Sequence, residues 1–143
     1  MNNNLDRFIT ASDKMYNTAL SEIKNGKKES HWMWYIFPQM FGLGESEISV
    51  YYAIKNLDEA KQYMNNEILK NRLLEISNEL LKINNKSSKD IFGSIDSVKL
   101  KSSMTLFELA SDEKVFGDVL DKYFDGERDE VTLRMCDVHK KVI

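Results

Sequence analysis

The stretch Ser30-His31-Trp32-Met33-Trp34-Tyr35-Ile36-Phe37-Pro38-Gln39-Met40 decides how this chain is read. It holds both tryptophans, the only proline and one of the two histidines. Burying each of Trp32, Trp34, Tyr35 and Phe37 is worth about 1.5–3 kcal/mol. Together they approach the whole net stability of a small domain, about 5–15 kcal/mol. Such a segment belongs in a core. Ser30 is placed to cap a short helix, and Pro38 pushes Phe37 out of the α region and ends it. On one helical turn Trp32, Tyr35 and Ile36 share a face, while His31, Trp34 and Phe37 fall on another. A short helix with aromatics on two faces must be wrapped by other elements, so it is expected at the centre.

Outward from that segment the chain reads as helices. Asn4 caps a first one, with Leu5, Phe8, Ile9, Met15, Tyr16, Ala19, Leu20 and Ile23 at helical spacing and Asn25-Gly26 as its stop. After Pro38, Phe41-Gly42-Leu43-Gly44 is a turn: no strand precedes it and no Lys-Ser/Thr follows, so it is no phosphate loop. Ser46 caps a helix from Glu47 to about Lys55, and Asn56 caps another that ends at Asn65-Asn66. Leu69, Leu73, Ile76, Leu80 and Ile83 alternate spacings of four and three, the seam of a bundle helix. Ser88 to Gly93 reads as one turn. Asp96 then caps a helix to about Ala110 with Val98, Leu100, Met104 and Phe107 inward. Ser111 caps the next, and Asp129 begins the last. No alternating strand pattern appears. The expectation is one all-α domain over residues 1–143, seven to eight helices around the central aromatic helix, with the helices over 67–83 and 111–125 as its main partners.

Composition excludes several function classes. At 143 residues the chain can bury about 68–70% of its unfolded surface without disulfides, and its lone cysteine, Cys136, can form none internally. A net charge of −3 and a pI near 5.5 argue against nucleic acid as a partner. No apolar window reaches the roughly 20 residues of a membrane span, and the start, Met1-Asn2-Asn3-Asn4, is not a signal peptide. A cytoplasmic location is expected, with no membrane partner.

Four runs carry a family resemblance: Ser30 to Gln39, Tyr52-Ala53-Ile54, Asp90-Ile91-Phe92-Gly93, and Lys99-Leu100-Lys101-Ser102-Ser103-Met104-Thr105-Leu106-Phe107. Together they resemble an uncharacterised bacterial family, domain-of-unknown-function family 1810, from Leu5 past Phe124. Beyond about Asp125 the resemblance thins. It implies a compact, mainly α-helical domain and no activity.

The chemistry-bearing residues form two groups. In the first, His31 is an acid/base candidate titrating near neutral pH or simply a packed histidine. Trp34 is expected to line a cleft, and Gln39, fixed after Pro38, can donate and accept at once or cap a neighbouring helix. In the second, Lys99 and Ser103 share a helix face, as do Lys101 and Thr105. A lysine one turn from a hydroxyl suits an anionic group. Asp96 can assist as a base or serve only as a cap, and the Ser102-Ser103 pair can serve close helix packing. No ligand spacing for zinc accompanies His31 or His139, and no cofactor is implied. The expected function is a small-molecule-binding domain, with hydrolysis as a further step, for a nucleotide or ADP-ribose-like anion. His31 and Asp96 would be catalytic, and Trp34, Gln39, Lys99, Lys101 and Ser103 would bind the ligand. The alternative is a protein-interaction domain without chemistry, marked by an exposed apolar patch, its partner and any oligomeric state unspecified.

Overall fold

The computed structural model describes residues 5–141, with side chains through Cys136. Among these residues the chain is all-α, with eight helices: α1 (Asp6–Lys24), α2 (Met33–Ile36), α3 (Glu47–Tyr51), α4 (Leu57–Asn65), α5 (Glu67–Leu81), α6 (Ser88–Ala110), α7 (Lys114–Phe124) and α8 (Glu130–Lys141). The one extended pairing among them is an isolated parallel bridge between Met40 and Ile54. No helix among the described residues is long and apolar enough to cross a membrane.

The apolar stripes build one contiguous core. Phe8 and Ile23 of α1, Leu69, Leu73, Ile76 and Leu80 of α5, Leu100, Met104 and Phe107 of α6, and Phe116, Val119 and Leu120 of α7 are all sealed from solvent. Packing runs α6 on α7 and α4, α5 on α1 and α7, and α8 on α6. The aromatic segment is internal, as its burial value requires: Trp32, Met33, Ile36 and Phe37 are buried. Trp32, Phe37 and Phe92 form a ring cluster with centroids 6.0–6.4 Å apart, in the tilted and edge-on arrangements aromatic pairs prefer.

Several local expectations are corrected. The principal helical neighbour of α2 is α1, not α5 or α7. The reason is a carboxylate: Glu22, near the end of α1, reaches across to the aromatic segment. Ser30 consequently donates its hydroxyl to Glu22 (2.6 Å) and does not cap α2, whose N-cap position is Trp32. Ser111 donates to the Phe107 carbonyl at 2.8 Å, closing α6, and Glu113 takes the N-cap position of α7.

The turn stopped at Gly93 and the helix after it are as read: α6 joins two helical pieces across a break at Gly93, where φ is 83° and ψ 167°. It is capped by Ser87 in a reciprocal capping box with Asp90, and Asp96 caps nothing. Val98 is exposed because the inward stripe is Ser97, Leu100, Met104 and Phe107, and Val98 lies one residue, about 100°, off it. Caps at Ser46 and Asn56 stand as side chains accepting from Ser49 and Glu59 N–H groups, and Asn66, read only as a helix end, also caps α5 by accepting from Leu69 N–H. Asp129 accepts from Thr132 N–H at 3.0 Å. Asn4 and the side chain of His139 lie outside the described residues.

Candidate functional site

Glu22 fixes the aromatic segment. One carboxylate oxygen accepts from Glu29 N–H (2.8 Å), Ser30 N–H (2.9 Å) and the Trp32 indole N–H (2.8 Å), and the other accepts from the Ser30 hydroxyl. Desolvation works to raise its pKa. The Ser30, Glu29 and Trp32 hydrogen bonds outweigh it and pull the carboxyl from 4.5 down to about 2. The preceding joint is tied to α6 by Lys28 N–H donating to the Ile91 carbonyl at 2.8 Å. With Trp32 held inside, Trp34 is turned to the half-buried side.

On that side the chain makes an excursion. Phe41 N–H donates to the Ile54 carbonyl (2.8 Å) and Ile54 N–H to the Gln39 carbonyl (2.9 Å), so residues 41–53 leave and return at one point. Arg7, buried on α1, pins the returning limb by donating to the Tyr51 and Ala53 carbonyls, each at 2.8 Å. Within the excursion α3 has no buried residue. Gly44 sits so close to Ser49 that an added Cβ would lie 2.6 Å from the Ser49 Cβ, and 3.7 Å from the Gln39 amide nitrogen. Glycine is required there by proximity.

Between this excursion and the α2–α6 wall lies a narrow recess of about 10 Å³. Met33, Trp34, Phe37, Gln39 and Lys99 form one side, and Ser49, Tyr52 and Ala53 the other. The Lys99 ammonium stands 5.5 Å from the Trp34 ring centroid, and that of Lys28 stands 5.1 Å from Trp32, both within cation–π reach. Asp96 lies between the two lysines, 2.9 Å from Lys28 Nζ and 3.6 Å from Lys99 Nζ. Burial, with Tyr51 adding, holds the Tyr52 phenol above its ordinary pKa, so it is a neutral hydrogen-bonding wall at physiological pH.

The candidate residues are thus divided. Trp34, Gln39 and Lys99 share the recess, with Asp96 one contact behind. Lys101 does not join them: it pairs with Glu127 at 3.1 Å and lies 6.0 Å from the Phe124 ring. Two residues along a helix is about 200° of rotation, which sends it to the opposite side from Lys99. Ser103 is wholly buried one turn deeper, its hydroxyl without a hydrogen-bond partner. His31 is exposed and outside the recess lining, its carbonyl accepting from the Tyr35 hydroxyl at 3.4 Å.

Lys28, Ser49 and Tyr52 were not among the candidate site residues. The three-residue spacing of Ser49 and Tyr52 after Gly44 was the one available signal. Among the described residues no three His, Cys, Asp or Glu side chains are placed to hold a metal. A wider depression of about 370 Å³ near Lys61, Lys70 and Glu113 has no aromatic lining, and Lys70 and Glu113 pair at 3.7 Å.

The sequence matches the family described as Protein of unknown function (DUF1810) over residues 2–136, and the chain belongs to it. The match continues through α8 as far as Cys136, beyond the point near Asp125 where the motif resemblance thins. The chain is similar to the conserved hypothetical protein Rv1873 from Mycobacterium tuberculosis, whose crystal structure is solved at 1.38 Å. The two are 39% identical with a TM-score of 0.91, over 93% of this chain and 96% of that one. No curated protein matches.

Proposed function

We propose that the chain is a small-molecule-binding domain for a planar anionic ligand, the class that includes nucleotide- and ADP-ribose-like compounds. One observation carries this reading: an ammonium, an indole face and a side-chain amide open into one recess, at Lys99, Trp34 and Gln39. Trp34 is half-buried, so a ring can lie against it across the mouth of the recess, its polar edge exchanging hydrogen bonds with Gln39 and its anionic group replacing Asp96 on Lys99. Asp96 is held between two ammonium groups, so its role here is to position Lys99. Hydrolysis is the finer reading, tested by looking for product in the same incubations; neither His31 nor Asp96 lines the recess, so an acid and a base for it would have to come from elsewhere.

The test is a thermal-shift panel of nucleotides and other planar anions. A ligand at a hundred times its Kd adds about 2.7 kcal/mol, a rise of several degrees. The rise should vanish in Lys99→Met. A panel without response, or a response that Lys99→Met leaves intact, refutes the reading.

A second reading, protein interaction, draws on α3 and its approach, where Phe41, Ile48, Val50 and Tyr51 are exposed. It requires a partner that Val50→Glu with Tyr51→Glu releases while ligand binding persists.

A further inference from the structure

We infer that the depression between the end of α4 and the α6–α7 joint binds a small zwitterion, of the class of a free α-amino acid carrying both its ammonium and its carboxylate. This site shares no residue with the recess beside Trp34.

Three segments build it. Lys61, Met64 and Asn65 stand three and four residues apart on α4, so they share one helix face. Ala110, Ser111, Asp112 and Glu113 come from the joint between α6 and α7, and Lys70 from the start of α5. The joint is held in shape: the Ser111 hydroxyl donates to the Phe107 carbonyl at 2.8 Å and accepts from Glu113 N–H at 3.4 Å. The α4 wall is fixed too, because Met64 is buried in the core. The space of about 370 Å³ falls at the lower end of the roughly 300–1,000 Å³ of ligand pockets, which suits a molecule of amino-acid size.

The charges decide the ligand class. Lys61 and Lys70 bring two ammonium groups and Asp112 and Glu113 two carboxylates, so the lining is neutral as a whole. Lys70 and Glu113 pair at 3.7 Å, with side chains 40% and 38% exposed. A pair this long and this hydrated is weak and opens readily. Lys61 and Asp112 are exposed, and neither has an ion-pair partner among the described residues. They line one space yet stand too far apart to pair with each other.

A ligand of one charge sign would be attracted by one of these two groups and repelled by the other. A zwitterion answers both, its carboxylate at Lys61 and its ammonium at Asp112. The Asn65 side-chain amide makes no hydrogen bond among the described residues. It can donate to the carboxylate or accept from the ammonium. Met64 and Ala110 supply apolar surface for the ligand's side chain.

The experiment is isothermal titration near pH 6, about two units below the usual α-ammonium pKa. The probes are glycine, glutamine and methionine. Each is compared with its N-acetyl derivative, which carries only the carboxylate, and its carboxamide, which carries only the ammonium. At least one free amino acid should bind with a Kd of about 1 mM or tighter, and about tenfold or more tighter than both of its blocked forms. Lys61→Met and Asp112→Asn change exposed side chains, and circular dichroism verifies that both variants are folded. Each should weaken the free amino acid about fivefold or more. Lys61→Met should then prefer the carboxamide to the N-acetyl form, and Asp112→Asn the reverse, a pattern that general loss of structure would not produce. The inference is overturned if every free amino acid binds more weakly than about 1 mM, if a blocked form binds as tightly as its parent, or if either variant leaves the affinity unchanged. None of these outcomes alters the reading of the Trp34 recess.

Discussion

Replacing Glu22 by glutamine removes the charge that holds the aromatic segment while keeping the side chain's shape. Its carboxylate accepts four hydrogen bonds at 2.6–2.9 Å, all from residues 29–32. The carboxyl is lowered from 4.5 to about 2 in the folded chain. At about 1.4 kcal/mol per pKa unit that difference is worth about 3 kcal/mol. Partial exposure of the side chain discounts it to about 2 kcal/mol.

Since the folded form holds its proton less tightly than the unfolded one, this stability is complete above pH about 4.5 and lost as the pH falls towards about 2. Urea denaturation followed by tryptophan fluorescence should therefore show Glu22→Gln about 2 kcal/mol less stable than wild type near pH 7. The gap should narrow steadily at lower pH, with the other carboxylates cancelling in the difference. A gap that is absent at neutral pH, or one that stays constant down to pH about 3, refutes the assignment of Glu22 as the charged staple.

Two further substitutions separate backbone from packing effects. At Gly93 the backbone lies at φ 83°, ψ 167° with nothing within 4 Å of an added Cβ, so Gly93→Ala meets only conformational strain. It should cost about 1–3 kcal/mol in urea denaturation, and a neutral result would mean that the break in α6 can relax. Ser103→Ala removes a buried hydroxyl that has no partner. It should be neutral or stabilising by up to about 1 kcal/mol in the same assay, and a loss of more than about 1 kcal/mol would show that the hydroxyl is satisfied in solution.

The helices were legible where one polar side chain precedes an apolar stripe. Asn56 and Ser46 accept from the N–H groups three residues ahead, so the local rule holds. It failed at Ser30 and Ser111, whose hydroxyls are taken by Glu22, eight residues earlier, and by the Phe107 carbonyl. A serine can cap forwards or bond backwards, and sequence spacing does not say which. Trp32 and Trp34 could be placed on different faces of a turn, though which one Glu22 would draw inside was not written in the spacing.

Of the candidate site, Lys99 and Lys101 were expected on one ligand, although the helical rotation between them already separates them. The contributions of Ser49 and Tyr52 were not legible, because α3 buries nothing and its sequence carries no stripe to orient it. Lys28 was hidden in a polar joint whose position depends on one backbone bond to Ile91.

The Met40–Ile54 bridge has a consequence for how this domain can diversify. The excursion it encloses is shut by main-chain groups, which have no side-chain identity to lose. The segment from Gly42 to Val50 is thus an exchangeable cassette. Its length and sequence can be rewritten while the Trp32 cluster beneath is undisturbed, and each rewriting alters the front wall facing Trp34 and Lys99. Related chains of this shape would then differ from one another chiefly in these few residues, on an unchanged floor.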